Sequence, residues 1–392
     1  MAQACVGPIV YAAASAALGH WFGGGVALER LDAALLIPTL PLAALAMVGI
    51  HRVRPGGGRL AILLPTALLL VLASMLFGTA APRSQWPQLA VLTISSLSIL
   101  TIMDAAQRIL HRHSTALRWF VFILSTATWW LAAHVALASA YTVGWSAQPG
   151  KTIMLTGLPL RTWPDDRLAL GELRDTAAII ALRTRLARPL VLADGLADGS
   201  LGPDDRLLLA HPRALPPETL VEVDRFVRAG GRVVILADGL SSWPLPYGFG
   251  DARNPPVTSL LTPLLDHWGI RLDAPVPGGA NDGKVTIVHA GRRLTLHSPG
   301  NFARLPGDCR GAGHLVEGPP TIATCRIGRG VAVLLADADM LFDPLWRPEP
   351  LWAAHLRTSD NIEWLASQLN EPYRPNIAEL RPTWRGAVGA GR

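Results

Sequence analysis

Charge is scarce in this sequence. Only 16% of its 392 residues are Asp, Glu, Lys or Arg, and half are hydrophobic, which excludes the composition of an average soluble protein. The scarcity is uneven. Residues 1–145 hold eight cations (Arg30, Arg52, Arg54, Arg59, Arg83, Arg108, Arg112, Arg118) against three acids (Glu29, Asp32, Asp104), a net of +5. The rest therefore carries +1 of the total +6. The basic balance belongs to the apolar part, so no nucleic-acid partner is expected.

Several chemical signatures are missing as well. No Ser sits in a G-x-S-x-G elbow. The histidines after residue 200 (His211, His267, His289, His297, His314, His355) show no H-E-x-x-H or paired ligand spacing, so no metal ligands are assigned. The stretch Gly144 to Thr152 imitates a phosphate loop but has five residues between its glycines where four are needed. It also leads from an apolar segment into a strand, whereas a phosphate loop joins strand to helix. Any ATPase partner is therefore a separate subunit, and no cofactor is expected.

Four apolar segments, 33–50, 60–77, 89–103 and 119–140, have or approach the length that crosses a bilayer. A fifth, 6–22, lacks the basic start of a cleavable signal peptide. Arg52, Arg54 and Arg59 lie in one loop and Arg108, Arg112 and Arg118 in another, while the alternate loops are poor in cations. The positive-inside rule places the arginine-rich loops in the cytoplasm and everything after residue 141 outside it. The expected organisation is a membrane region over 1–145, an exported domain over 146–375 and a disordered tail over 376–392. The expected location is a bacterial inner membrane, with the lipid bilayer and other envelope proteins as partners. His134, Ser95, Ser96 and Ser98 are the polar exceptions within the helices and read as helix–helix hydrogen-bonding groups.

The exported part alternates strands and helices. Its centre is residues 205–240. A buried apolar run, 207–210, leads to Pro216, Pro217 and Glu218 at a helix start. Leu220, Val223 and Val227 then recur at helical spacing, with Glu222, Arg225 and Arg228 expected outward. Gly230 and Gly231 end the helix, and 233–236 is a second buried strand. Further strands are expected at 151–155, 189–192 and 331–335, helices at 172–186, 257–268 and 350–369, and a hairpin around Ala290-Gly291. The expected fold is an α/β, flavodoxin-like three-layer domain. Its strand ends repeat one another: Leu192-Ala193-Asp194, Leu236-Ala237-Asp238, and Leu335-Ala336-Asp337 followed by Asp339. In a parallel sheet such ends form the ligand-facing edge. Asp194, His211, Asp238, Gly239, Asp337 and Asp339 are therefore the candidate ligand-binding residues, although Asp after a strand also serves as a helix cap or turn closer.

The pattern LLLAHP, LPPETLVEVDRFVRAGGRVVILADG, GRGVAVLLADADML and SDNIEWLASQL resembles the periplasmic domain of gliding-motility-type auxiliary proteins of ABC transporters, over roughly residues 151–370. That group is similar in fold to class I glutamine amidotransferases. In those enzymes a Cys nucleophile stands at the strand end, where this chain has Ala237-Asp238-Gly239. The resemblance thus implies an amidotransferase-like domain without the catalytic Cys. The expected function is a non-enzymatic binding or assembly component of an envelope complex, such as an ABC transporter accessory subunit. The alternative is a periplasmic hydrolase using the Asp edge, with or without a divalent metal. Export also sets an expectation for Cys309 and Cys325, which enclose a glycine- and proline-rich stretch: a disulfide. The competing reading is two separate buried thiols.

Overall fold

The computed structural model describes residues 2–22, 29–51, 60–77, 86–110, 112–141, 145–162, 174–245, 247–248, 250–251, 253–275, 277, 283–314, 319–347, 355–370 and 380–384. The chain divides into two compact units. Unit 1 comprises Met1–Thr142, Pro348–Arg357 and Pro375–Arg392; unit 2 comprises Val143–Arg347 and Thr358–Arg374.

Unit 1 is helical: α1 (Ala2–Phe22), α2 (Leu40–His51), α3 (Leu60–Phe77), α4 (Trp86–Leu110) and α5 (Thr115–Ala140). The helices α4 and α5, of 25 and 26 residues, are long and apolar enough to cross a membrane; at ~1.5 Å per residue each exceeds the ~30 Å hydrocarbon core. The expected span 33–50 is broken. Ala33–Thr39 forms a fully buried 3-10 turn containing Pro38, and only the 12 residues of α2 continue as α-helix. The arginine-rich stretch 52–59 and Arg83 lie outside the described residues.

The core of unit 1 joins Tyr11, Leu36, Leu40, Leu69, Leu92 and Leu137. Ser96 hydrogen-bonds Tyr11 at 2.9 Å and Thr66 at 3.1 Å, linking three helices. His134 pairs with His355, Nδ1 to Nε2 at 2.9 Å. Residues 380–384, expected as tail, pack into this unit. Leu380 is part of its core and Trp384 is fully buried, because an apolar residue and a large aromatic here have a protein surface to cover. Residues 376–379 and 385–392 lie outside the described residues.

Unit 2 is a three-layer α/β fold. It runs β1 (Thr152–Thr156), the short pair β2 (Arg161–Thr162) and β3 (Arg174–Asp175), α6 (Ala177–Arg185), β4 (Leu190–Ala193), β5 (Arg206–Ala210), α7 (Pro217–Arg228) and β6 (Arg232–Leu236). Then follow α8 (Thr262–His267), β7 (Arg271–Asp273), β8 (Lys284–His289), β9 (Arg292–His297), β10 (Asn301–Arg304), β11 (Cys309–His314), β12 (Pro320–Ile327), β13 (Gly330–Leu335) and α9 (Asn361–Leu369). The main sheet has the order β11-β12-β13-β6-β5-β1-β4. The strands from β13 to β4 are parallel, and β11 and β12 extend one edge antiparallel. By order of appearance the five parallel strands run 2-1-3-4-5, one of the two common doubly wound orders. Alternate residues feed opposite layers. Met154, Leu208 and Val234 pack with α6 and α9, while Leu155, Leu207 and Val233 pack with α7 and α8. Burial on both faces explains why these strands read as unbroken apolar runs.

Several expectations change. Glu222 of α7 is 1% exposed and chelated by Arg225 at 2.7 and 2.8 Å, not turned outward as an independent surface charge. The helix expected over 257–268 shrinks to α8, because Val257 O and Ser259 N bond back to Ser241 N and Asp238 O. Of the helix expected over 350–369, residues 350–354 lie outside the described residues and Asn361–Leu369 forms α9. Thr358 and Ser359 hydroxyls donate to Leu345 O and Asp360 N to Arg293 O, which draws that backbone out of helical pairing. Residues 163–173 lie outside the described residues; of the helix expected over 172–186, Arg174–Asp175 pairs as β3 and the helix begins only at Ala177. The β8–β9 turn places Ala290 and Gly291 at φ +50° and +74°, the pattern of a type I′ hairpin.

The disulfide joins Cys309 and Cys325, directly opposed on β11 and β12 with Cα atoms 4.0 Å apart. The glycine- and proline-rich stretch they enclose contributes residues 310–314 and 320–324 to this antiparallel pair.

Candidate functional site

The carboxyl ends of β5, β6 and β13 converge because these strands are adjacent and parallel. His211 follows β5 at φ +48° and is fully buried. Its ring Nε2 lies 2.7 Å from Pro256 O. A carbonyl only accepts, so Nε2 carries the proton and Nδ1 is left with a lone pair. That lone pair faces Asp238, whose backbone N–H is 3.4 Å away and whose Oδ2 is 3.6 Å away. Burial holds the His211 pKa below its usual range.

Asp238, Asp337 and Asp339 form a buried cluster in which one oxygen of each lies within 4.8 Å of the others. Asp238 Oδ1 accepts from Ala338 N at 2.6 Å. Asp337 accepts from His297 N at 2.7 Å and Met340 N at 3.0 Å. Asp339 accepts from Ser241 Oγ at 2.8 Å and Ser242 N at 2.6 Å. Burial raises the pKa of all three, and the neighbouring carboxylates push Asp238 and Asp337 further.

The strand-end aspartates thus divide. Asp337 closes the turn to Met340, as Asp after a strand commonly does, whereas Asp339 holds the distant Ser241–Ser242 loop, and with Asp238 they also meet in space. Asp194 does not join them. It is exposed at the end of β4, with β1 and β5 lying between β4 and β6. Gly239 has a steric role: a Cβ there would stand 2.5 Å from Ala274 Cα. Sequence reasoning missed Ser241, Ser242 and His297. Two adjacent serines just after the Ala237-Asp238-Gly239 end were the available signal; nothing local marks His297. Beyond Pro256 a cavity of about 340 Å³ opens among Arg213, Leu245, Asp251, Asn254 and Leu260.

Residues 200–308 match the family described as ABC-type uncharacterized transport system. No curated protein sequence matches the chain. Among solved structures it is similar to the exo-beta-1,4-mannosidase Op5Man5 from Opitutaceae bacterium strain TAV5. The identity is 13% and the TM-score 0.35, over 86% of this chain and 56% of the mannosidase. It is also similar to a polyextremophilic beta-galactosidase from the haloarchaeon Halorubrum lacusprofundi, at 17% identity and a TM-score of 0.31, over 61% of this chain and 32% of that one. The chain thus spans between a third and somewhat over half of the length of these structures.

Proposed function

We propose that the chain is a non-enzymatic, membrane-anchored accessory subunit of a cell-envelope transport assembly. Its flavodoxin-like, amidotransferase-like α/β unit is exported, and its partners are envelope proteins and a separate ATPase. The observation that carries this reading is the match of residues 200–308 to a transport-system family, a stretch that contains His211, Asp238 and the loops over them. The chemistry of the strand end supports it. The position of an amidotransferase nucleophile holds Ala237-Asp238-Gly239, with no thiol, and Asp238 and Asp337 are 1% and 0% exposed. A hydrolase needs carboxylates that reach a substrate, and these two do not.

Two experiments test the proposal. Purification of the tagged full chain from membranes with partner identification is expected to recover a P-loop ATPase and a permease. Recovery of the chain alone under gentle and crosslinked conditions alike would count against it, as would ammonia release from glutamine above a no-protein control. Topology is read separately. A reporter active only outside the cytoplasm is expected to work when fused after Asn370 and to be silent when fused near Gly57; the reverse pattern overturns the exported assignment.

A further inference from the structure

We propose that Asp238, Asp337 and Asp339 hold one hard divalent cation of the Ca²⁺ class beneath the carboxyl edge of the sheet.

Two opposing forces meet at this cluster. Burial disfavours the ionised carboxylate, yet the local donors favour it: four backbone N–H groups and the Ser241 hydroxyl cover five of the six oxygens. Both oxygens of Asp337 are committed to N–H donors. Among the described residues no Lys or Arg pairs with any of the three. Buried charge without a counter-charge is costly, and buried charges are paired or coordinate metals.

The second observation is the sixth oxygen. Asp238 Oδ2 is buried and has no hydrogen-bond partner among the described residues. It lies 3.6 Å from His211 Nδ1, and the Pro256 contact at Nε2 leaves that nitrogen with no proton to donate. A buried carboxylate oxygen without a donor is free to ligate a cation.

The chemistry of the set names the class. All three ligands are carboxylate oxygens, which suit Ca²⁺, Mg²⁺ or Mn²⁺ over softer metals. The three ligand oxygens lie within 4.8 Å of one another, which one Ca²⁺ at bonds of ~2.3–2.6 Å accommodates, while Mg²⁺, which dehydrates reluctantly and keeps several waters, suits so buried a set less. The ion clamps the end of β6 to the turn after β13. This inference stands apart from the accessory-subunit reading and survives or fails without it.

The test uses the full chain in detergent. One portion is dialysed against Ca²⁺ and then metal-free buffer, and its metal content is measured by elemental mass spectrometry. A second portion is stripped with a chelator and its thermal unfolding followed as Ca²⁺ or Mg²⁺ is added. The expected results are about one retained Ca²⁺ per chain and a saturable rise in the unfolding midpoint of roughly 5–10 °C at 100-fold excess over Kd, with Mg²⁺ weaker. Asp238→Asn and Asp339→Asn are expected to lose both, and Asp194→Asn to keep both. No retained metal together with no Ca²⁺-dependent shift in the wild-type chain overturns the proposal, whatever the variants do. An unchanged response in folded Asp238→Asn overturns it too.

Discussion

Replacing Cys309 and Cys325 by Ala tests energetics and compartment together. The two residues are opposed on adjacent antiparallel strands and close a loop of sequence separation 16. The chain-entropy relation gives about 3 kcal/mol for a loop of that size, contributed through the unfolded state. For a unit the size of unit 2 this corresponds to a drop of roughly 6–12 °C in unfolding midpoint. The side-chain loss adds little, since alanine replaces a small thiol. The bridge also reports on location, because disulfides persist in oxidising compartments and are reduced in the cytosol. The chain has three cysteines, so mass-tagging of denatured protein should label one thiol before reduction, Cys5 in α1, and three after it. Denaturant is needed because Cys325 is fully buried. Three labelled thiols in membrane-extracted protein protected from air oxidation would refute both the bridge and the export of unit 2. One labelled thiol with an unchanged midpoint in the double variant would refute the energetic argument alone.

Acid should weaken unit 1. His355 is pushed down to about 3, by burial first and then by His134, Arg30 and Arg357. The folded state binds fewer protons than the unfolded one, so stability is complete above the unfolded value near 6.5 and falls as pH drops from there towards 3. His355→Phe should flatten that fall in detergent unfolding curves; an unchanged slope refutes the assignment. Gly239→Ala should cost about 1–3 kcal/mol, because backbone at Ala274 cannot yield to the added Cβ as a flexible side chain would. An unaltered midpoint would return Gly239 to the ligand-facing role. Trp384→Ala should cost about 3–5 kcal/mol and expose the carboxyl-terminal segment to proteolysis; wild-type resistance would mean that the segment is dispensable.

What could be read from the sequence follows the range of the signals. Unbroken runs such as 207–210 and 233–236, with Pro216-Pro217 and Gly230-Gly231 between them, locate β5, α7 and β6 to within a residue or two, because these signals are local. The strand-end aspartates were visible as a repeat, but which of them meet depends on strand order. The order 2-1-3-4-5 places β4 beyond β1, so Asp194 parts from Asp238 and Asp337. Helix lengths failed where tertiary bonds overrode periodicity. Val257 and Ser259 answer to Ser241 and Asp238, and Asp360 answers to Arg293. Glu222 shows the same limit at one residue, since helical spacing sets its face but not its neighbours.

The largest gap between pattern and fold lies at Arg30 and Asp32, which read as ordinary loop charges and are 0% and 2% exposed. Two charges in an apolar unit each carry a desolvation cost of several kcal/mol. Arg30 Nε donates to Asp32 Oδ2 at 2.8 Å, its NH1 donates to His355 O, and its guanidinium lies 5.0 Å and 5.4 Å from the Tyr141 and Trp384 rings. Asp32 also accepts from Tyr141 Oη at 3.2 Å, Gln88 Nε2 at 3.5 Å and Thr383 N at 2.5 Å. These partners come from four separate stretches of chain. The pair is satisfied only when all of them return to one place, so its contribution is to register more than to net stability. That is also why residues 380–384 could not be read as structured from their own composition. Nothing within them specifies order; the order is supplied by a buried carboxylate some 350 residues earlier, which needs the Thr383 amide.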